Sequence, residues 1–165
     1  MTPPRAPDVR TAGFADLDPR TLYAVLRLRV DVFVVEQKCP YPDLDGHDPE
    51  PATRHLWCER DGVPVAYLRI RHEPDGTPRI GRVAVAAAER GAGLAGRLMT
   101  AALAELGGRP CVLEAQAHLV GFYARYGFAP TGPEHLHDGI PHVPMRRDGT
   151  RRDAVAQPPG GGGPR

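Results

Sequence analysis

An excess of charge of either sign is missing from this chain. Its 165 residues carry 21 lysines and arginines against 20 aspartates and glutamates, a formal net charge of +1. That balance argues against the basic footprint of a dedicated nucleic-acid binder. Long apolar runs are missing too. None approaches the ~20 residues of a membrane span, and the N-terminus has no apolar signal core. Together these absences predict a soluble, cytoplasmic protein with no membrane or nucleic-acid partner. Cysteine is scarce: Cys39, Cys58 and Cys111 are widely spaced and form no CxxC pair, so neither a zinc ribbon nor a disulfide scaffold is indicated. The three read as small buried or half-buried thiols. Lysine is nearly absent, with Lys38 alone among the basic residues, a bias toward arginine that carries no functional reading.

Glycine and proline, by contrast, number 19 each, and many of them lie at the ends. Residues 1–7 hold three prolines, and the chain closes on QPPGGGGPR. Both ends, 1–7 and 148–165, are expected to be disordered, leaving one domain over 8–147.

Within that domain a short strand is predicted over Val9 to Gly13. Asp18-Pro19 then offers an N-cap followed by proline at the first helical position. Leu22, Val25, Leu26, Val30, Phe33 and Val34 recur at helical spacing, giving an amphipathic helix that fails near Lys38 to Pro42. Asp43 to Ala52 is acidic and turn-rich. Strands follow at Arg54 to Glu59 and Val63 to Arg71 around an Asp61-Gly62 hairpin turn, and a third from about Arg79 to Val85. A glycine-rich entry leads to a helix through Leu94, Leu98, Ala102 and Leu106, ending at Gly107-Gly108. Cys111 to Ala115 reads as a buried strand and Leu119 to Tyr126 as a short aromatic helix. Phe128 to Thr131 and His142 to Arg146 read as two last strands. The order β, α, βββ, α, β, α, ββ predicts a mixed-sheet α/β domain.

Residues 90–96 read Arg-Gly-Ala-Gly-Leu-Ala-Gly. Glycines let backbone amides approach an anion, and the following helix adds its positive dipole end, so the segment is a phosphate cradle in physical terms. Gly91, Gly93 and Gly96 satisfy GxGxxG, with Glu114 where a dinucleotide fold places its ribose carboxylate. Three features oppose that reading: the loop Ala86 to Arg90 between strand and glycines, the preceding hairpins, and only about 50 residues left after Glu114 for a second half-sheet.

The same segment resembles motif A of the GNAT N-acetyltransferases, Arg/Gln-x-x-Gly-x-Gly/Ala, with Arg90, Gly93 and Ala95 at its positions. Phe122-Tyr123-Ala124-Arg125-Tyr126-Gly127-Phe128 resembles the family's FYxxxGF segment, in the expected order and separation. Phe33 to Gln37, Pro40-Tyr41, Asp43, Asp45-Gly46, Ala115 to His118 and Asp138 to His142 are similar to its ElaA-type branch, and the likeness spans about residues 20–147. The resemblance implies a GNAT fold: a central, mostly antiparallel mixed sheet with helices on both faces. It also implies transfer of an acetyl group from acetyl-CoA to a primary amine within a ternary complex, with no metal. The donor's pyrophosphate would rest on Arg90, Gly91, Ala92, Gly93, Leu94, Ala95 and Gly96. The pantetheine would pair with Val83, Ala84 and Val85, near Gln116 and Tyr123. A non-catalytic acyl-CoA sensor is the alternative. The acceptor is a small-molecule or peptide amine, and a homodimer stays open.

Acetyl transfer needs a deprotonated amine, a polarised carbonyl and an exit for thiolate. Tyr123 is the candidate proton donor to sulfur, and a backbone amide of Val83 to Val85 the candidate oxyanion donor. Candidate bases are Glu36 and His118, with His55 and Glu114 behind them. Glu36, Asp43, Asp45 and Asp48 read as an acidic stretch able to attract a cationic amine. His135, His137 and His142 lack metal-ligand spacing.

Overall fold

The computed structural model describes residues 5–150. Residues 1–4 and 151–165, which hold most of the two tails expected to be disordered, lie outside the described residues.

β1 (Val9–Gly13) precedes α1 (Pro19–Arg29), whose start is set by Asp18: its Oδ1 accepts from the amides of Arg20 (2.8 Å) and Thr21 (3.4 Å). The helix does not continue as a regular α-helix to Lys38. It widens into a π-helical segment, Val30–Glu36, closed by Cys39 N donating to Val34 O at 3.1 Å. The widening rotates Phe33, Glu36 and Gln37 relative to the apolar stripe that periodicity alone traces.

β2 (Arg54–Arg60), β3 (Val63–His72) and β4 (Pro78–Val85) form the expected antiparallel run. α2 (Leu94–Leu106) crosses one face of the sheet, and β5 (Cys111–Gln116) returns parallel to β4. A short 3₁₀ turn and α3 (Val120–Ala124) lead to β6 (Ala129–Pro130), β7 (His135–His137) and β8 (Ile140–Arg147). The sheet order is β1-β2-β3-β4-β5-β8-β6, with β7 on β8, and β4/β5 is its parallel pair. β7 is one strand more than the sequence suggests. It forms a hairpin with β8 around Asp138-Gly139, both at positive φ.

Alternation assigns the faces. Leu56, Leu68, Ile70 and Ile80 pack under Leu98 and Met99 of α2, while Trp57, Tyr67 and Ala84 pack under Val25 and Leu28 of α1. Ile80 and Ala84, four apart on β4, would share a face in a regular strand. They lie on opposite faces because β4 carries an extra residue: Tyr67 pairs Ala84 while Arg69 pairs Gly81. Arg82 takes up the bulge with φ of 55°, a left-handed conformation costly for a residue with a Cβ.

Candidate active site

The bulge has a consequence at the sheet's centre. β4 and β5 are hydrogen-bonded neighbours at a single register pair, Arg79 with Val112, and diverge beyond it. Between them opens a cleft of about 1100 Å³, lined by Gly81 to Val85 on one side, by Leu113, Glu114 and Gln116 on the other, and by Phe33, Glu36 and Gln37 of the π-helical segment. Gln116 Nε2 donates to Gln37 Oε1 at 3.3 Å, joining the two walls. A strand edge without a neighbour presents amides and carbonyls to any extended chain laid in the gap.

At the end of β4 the chain turns through Arg90 into the glycine loop. Gly91 and Gly93 have φ of 86° and 76°, a conformation that favours glycine. Gly96 serves packing instead: a Cβ there would meet the Tyr126 hydroxyl at 2.6 Å. The first bond inside α2 is Arg97 N to Gly93 O, 3.1 Å, so the amides of Leu94, Ala95 and Gly96 precede it. They form the N-terminal set that anions seek. Arg90 fastens this loop. Its Nε and Nη2 each donate to Val85 O at 3.2 Å, and its guanidinium grips both Glu36 carboxylate oxygens, Nη2 to Oε2 at 2.5 Å. That pairing holds the Glu36 carboxyl below the usual carboxylate range.

Tyr123 projects from α3 into the same cleft, 6% exposed, with its ring edge-on to Phe122 and Phe128. Burial pushes its phenol up to about 12, so the hydroxyl keeps its proton throughout the neutral range. His118 lines the cleft as well. Glu114 does so at 3.6 Å from His135. His137 and His142 stand ring to ring on β7 and β8, with centroids 5.5 Å apart, and Nδ1 of His142 donates to Ile140 O. Among the described residues no group of three or more His, Cys, Asp and Glu side chains is arranged to hold a metal ion.

His55 is elsewhere. It is buried behind the wall, where Nε2 donates to Asp48 O at 3.0 Å and Nδ1 accepts from the Tyr67 hydroxyl at 2.7 Å. Burial lowers its pKa, so the folded chain holds it neutral. A base depressed in this way contributes stability above its unfolded pKa of ~6.5 and loses it as pH falls toward the folded value. Asp45 and the buried Asp48 of the neighbouring network are held low by Arg69 and Arg29, and their loss begins only below about pH 4. Stability should therefore decline by up to about 1.4 kcal/mol per pH unit below pH 6.5 until His55 protonates. Urea midpoints at pH 7.5, 6.5 and 5.5 measure it.

The acidic stretch also differs from its expected role. Asp43 and Asp48 are buried against Arg29, which is 0% exposed: Nε to Asp43 Oδ2 at 2.9 Å, Nη1 to Asp48 Oδ1 at 2.7 Å, Nη2 to Asp43 O at 2.8 Å. Arg69 forks onto both Asp45 oxygens (2.8 and 2.7 Å) and reaches Asp48 at 3.0 Å, and Arg82 from the bulge adds Asp43 at 3.0 Å and Asp45 at 3.3 Å. With Glu36 on Arg90, every carboxylate of that stretch has a guanidinium partner. The segment Asp43 to Asp48 is a strapped-down wall of the cleft, not a cationic lure.

A gap between parallel neighbours, an amide-bearing loop behind it and a buried tyrosine within it are laid out in one domain. The model of the Acetyltransferase (GNAT) domain family matches residues 29–148. The chain belongs to that GNAT family. A relative, the UPF0039 protein Rv2851c of Mycobacterium tuberculosis, is 52% identical over 146 residues, covering 86% of this chain and 94% of its own. Protein ElaA of Escherichia coli is 41% identical over 140 residues, covering 81% and 92%. Its crystal structure superposes with a TM-score of 0.81 over 86% of this chain and 99% of that one. An acyl-CoA N-acyltransferase from Pseudomonas aeruginosa, 45% identical, superposes at 0.80 over 85% and 99%. These relatives support the ElaA-type branch of the GNAT family, and membership places the chain among acyltransferases. No helix among the described residues is long and apolar enough to cross a membrane.

Proposed function

We propose that this GNAT domain transfers an acetyl group from acetyl-CoA to a primary amine by direct attack within a ternary complex. The observation that carries the reading is the gap between β4 and β5, backed by the amide-rich turn at Gly91–Gly96. The pantetheine arm lies along Val83 to Val85 as an added strand, and the pyrophosphate meets the loop and first turn of α2. Arg90 keeps that turn against the end of β4, and Gln116 bounds the arm from β5.

The amine nitrogen attacks the thioester carbon, and a backbone N–H of the Val83–Val85 segment takes the developing oxyanion. The C–S bond then breaks, the amide forms, and the thiolate takes the proton of Tyr123. The proton lost by nitrogen passes to His118 or to water, and solvent returns one to the phenol. Glu36 has both carboxylate oxygens engaged by Arg90 and is held ionised there, which favours His118. The proposed setting is the cytoplasm.

Coenzyme A at 100 times its Kd should stabilise the fold by about 2.7 kcal/mol, a rise of roughly 5 to 10 °C in Tm for a domain of this size. Gly93→Asp should abolish the shift by setting a carboxylate against the pyrophosphate, whereas Gly93→Ala, which imposes only the backbone strain at φ of 76°, should keep most of it. Thiol release from acetyl-CoA against a broad amine panel tests transfer itself. A coenzyme A shift without release for any amine would leave a sensor, and a shift with NAD alone would restore the dinucleotide reading.

A further inference from the structure

We infer that the acceptor is an anionic amine, its acidic group held by Arg71 and Arg79 at the closed end of the β4–β5 cleft. The inference deepens the acyl-transfer reading and rests on it for the identity of the reacting group.

Arg71 of β3 and Arg79 of β4 are direct cross-strand partners. Like charges facing each other across a ladder are destabilising, so the pair needs a counter-charge. One carboxylate serves both. Glu73 is in close contact with Arg79 and stands 3.5 Å from Arg71. Both arginines line the cleft, with side chains 22% and 25% exposed, while Glu73 is outside the lining. The cleft is therefore walled at this end by two arginine side chains that share one carboxylate outside it, where Arg79 and Glu73 also line a shallow second pocket. Burial and the neighbouring Arg79 and Arg69 push the Arg71 pKa down, the direction expected of a cation short of a partner. The aspartates nearby cannot supply one, since Asp43, Asp45 and Asp48 are already committed to Arg29, Arg69 and Arg82. Two guanidinium forks at one wall suit a carboxylate or a phosphate monoester.

Strand geometry limits the acceptor's length. Arg79 is four residues from Val83, roughly 13 Å of strand, and the arginine arms recover part of that distance. Amine and anion are then separated by roughly 7 to 13 Å, the length of two to four extended residues. An ω-amino acid or ω-aminoalkyl phosphate fits this span, and glycine does not.

The test uses matched acceptors with acetyl-CoA and the full chain: 6-aminohexanoate, 6-aminohexyl phosphate and the neutral 6-aminohexanamide. A charged member should exceed the amide in kcat/KM by about 10- to 100-fold, the worth of a charge-assisted bond. Whichever of carboxylate and phosphate leads identifies the acid. Arg71→Gln should bring the ratio close to one, and Arg71→Lys, which keeps a point charge without the fork, should lie between. A ratio near one in the wild type, or one that survives Arg71→Gln, overturns the proposal. Binding is read separately by titrating 6-acetamidohexanoate, 6-acetamidohexyl phosphate and 6-acetamidohexanamide into coenzyme A-saturated protein. Preferential binding of an anion, lost in Arg71→Gln, with no amine acetylated, would sustain the anion site and remove the acyl-transfer reading. Equal binding of all three, or of none, removes the anion site.

Discussion

Tyr123→Phe should lower kcat by about 10²-fold while the Kd for coenzyme A changes by less than about threefold. The substitution deletes one oxygen from a ring wedged between Phe122 and Phe128, so the packing of α3 survives. A thiol with pKa of ~8.5 leaves moderately well unaided, which puts the loss at the low end of the range for general acid catalysis. The buried phenol, raised to about 12, is a weak acid but is never short of its proton. The residual ascent or descent of kcat between pH 6 and 10 therefore belongs to other groups, and wild type and variant should share one profile shape. If the hydroxyl merely bonds the bound sulfur, ground state and transition state lose similar amounts, so coenzyme affinity should fall while kcat holds. Rapid-mixing kinetics beside a separate binding titration decides. An unchanged kcat with an unchanged Kd would reduce Tyr123 to packing.

Arg29→Met should cost about 3 to 5 kcal/mol, the usual outcome of removing one partner from a buried ion pair. Asp43 would keep Arg82 and Asp48 would keep Arg69, but each would lose its shortest charged contact inside the wall. With a total stability of ~5–15 kcal/mol for a domain, the variant would sit near its unfolding threshold. Arg27, two residues earlier, faces Asp31 at 3.9 Å with 74% of its side chain exposed, and Arg27→Ala should change nothing measurable. Denaturant midpoints for the two variants, taken at pH 7.5 where His55 is neutral, give the contrast directly. A small loss at Arg29 would mean that the wall between α1 and β2 is held by its apolar contacts.

How far could the sequence alone carry these conclusions? The hairpin turn at Asp61-Gly62, the glycine entry to α2 and the stop at Gly107 are local signals, each set by the residues that adopt the conformation, and they were legible. So was the sheet's mixed character, because strand and helix periods alternate in order along the chain, whereas the GNAT frame came from the resemblance of Arg90-Gly93-Ala95 and of Phe122 to Phe128 to the family's motifs. The bulge at Arg82 was not legible. It shows as a mismatch of register between β3 and β4 with Arg82, not its neighbour Gly81, at positive φ, so the glycine inside the strand marks the place without giving the register or the residue that takes the strain. The same holds for the wall. Arg29 sits 14 and 19 residues from its aspartates, and Arg69 and Arg82 arrive from separate strands. Reading carboxylates along the chain counts charges without their partners, and so Asp43 to Asp48 looked like an open acidic surface. Arg71 and Arg79 lie on either side of a turn at Pro74-Asp75-Gly76, where pattern reading registers a hairpin and does not weigh which charges end up face to face.

The burial of the cysteines gives this domain a built-in clock. Cys58 and Cys111 lie in the core between the sheet and α2 with no exposed surface, and burial keeps both thiols protonated. Cys39 instead lies where the π-helical segment ends, on the cleft wall, its Sγ donating to Asp138 O at 3.2 Å across to the β7–β8 turn. A disulfide reagent mixed with native protein therefore finds no ready target, and a chromophore released early in a reaction counts coenzyme thiol alone. Over longer times the order of labelling separates two openings. Modification of Cys39 records the end of the π-helical segment lifting away from the β7–β8 turn, while Cys58 and Cys111 wait for α2 to leave the sheet.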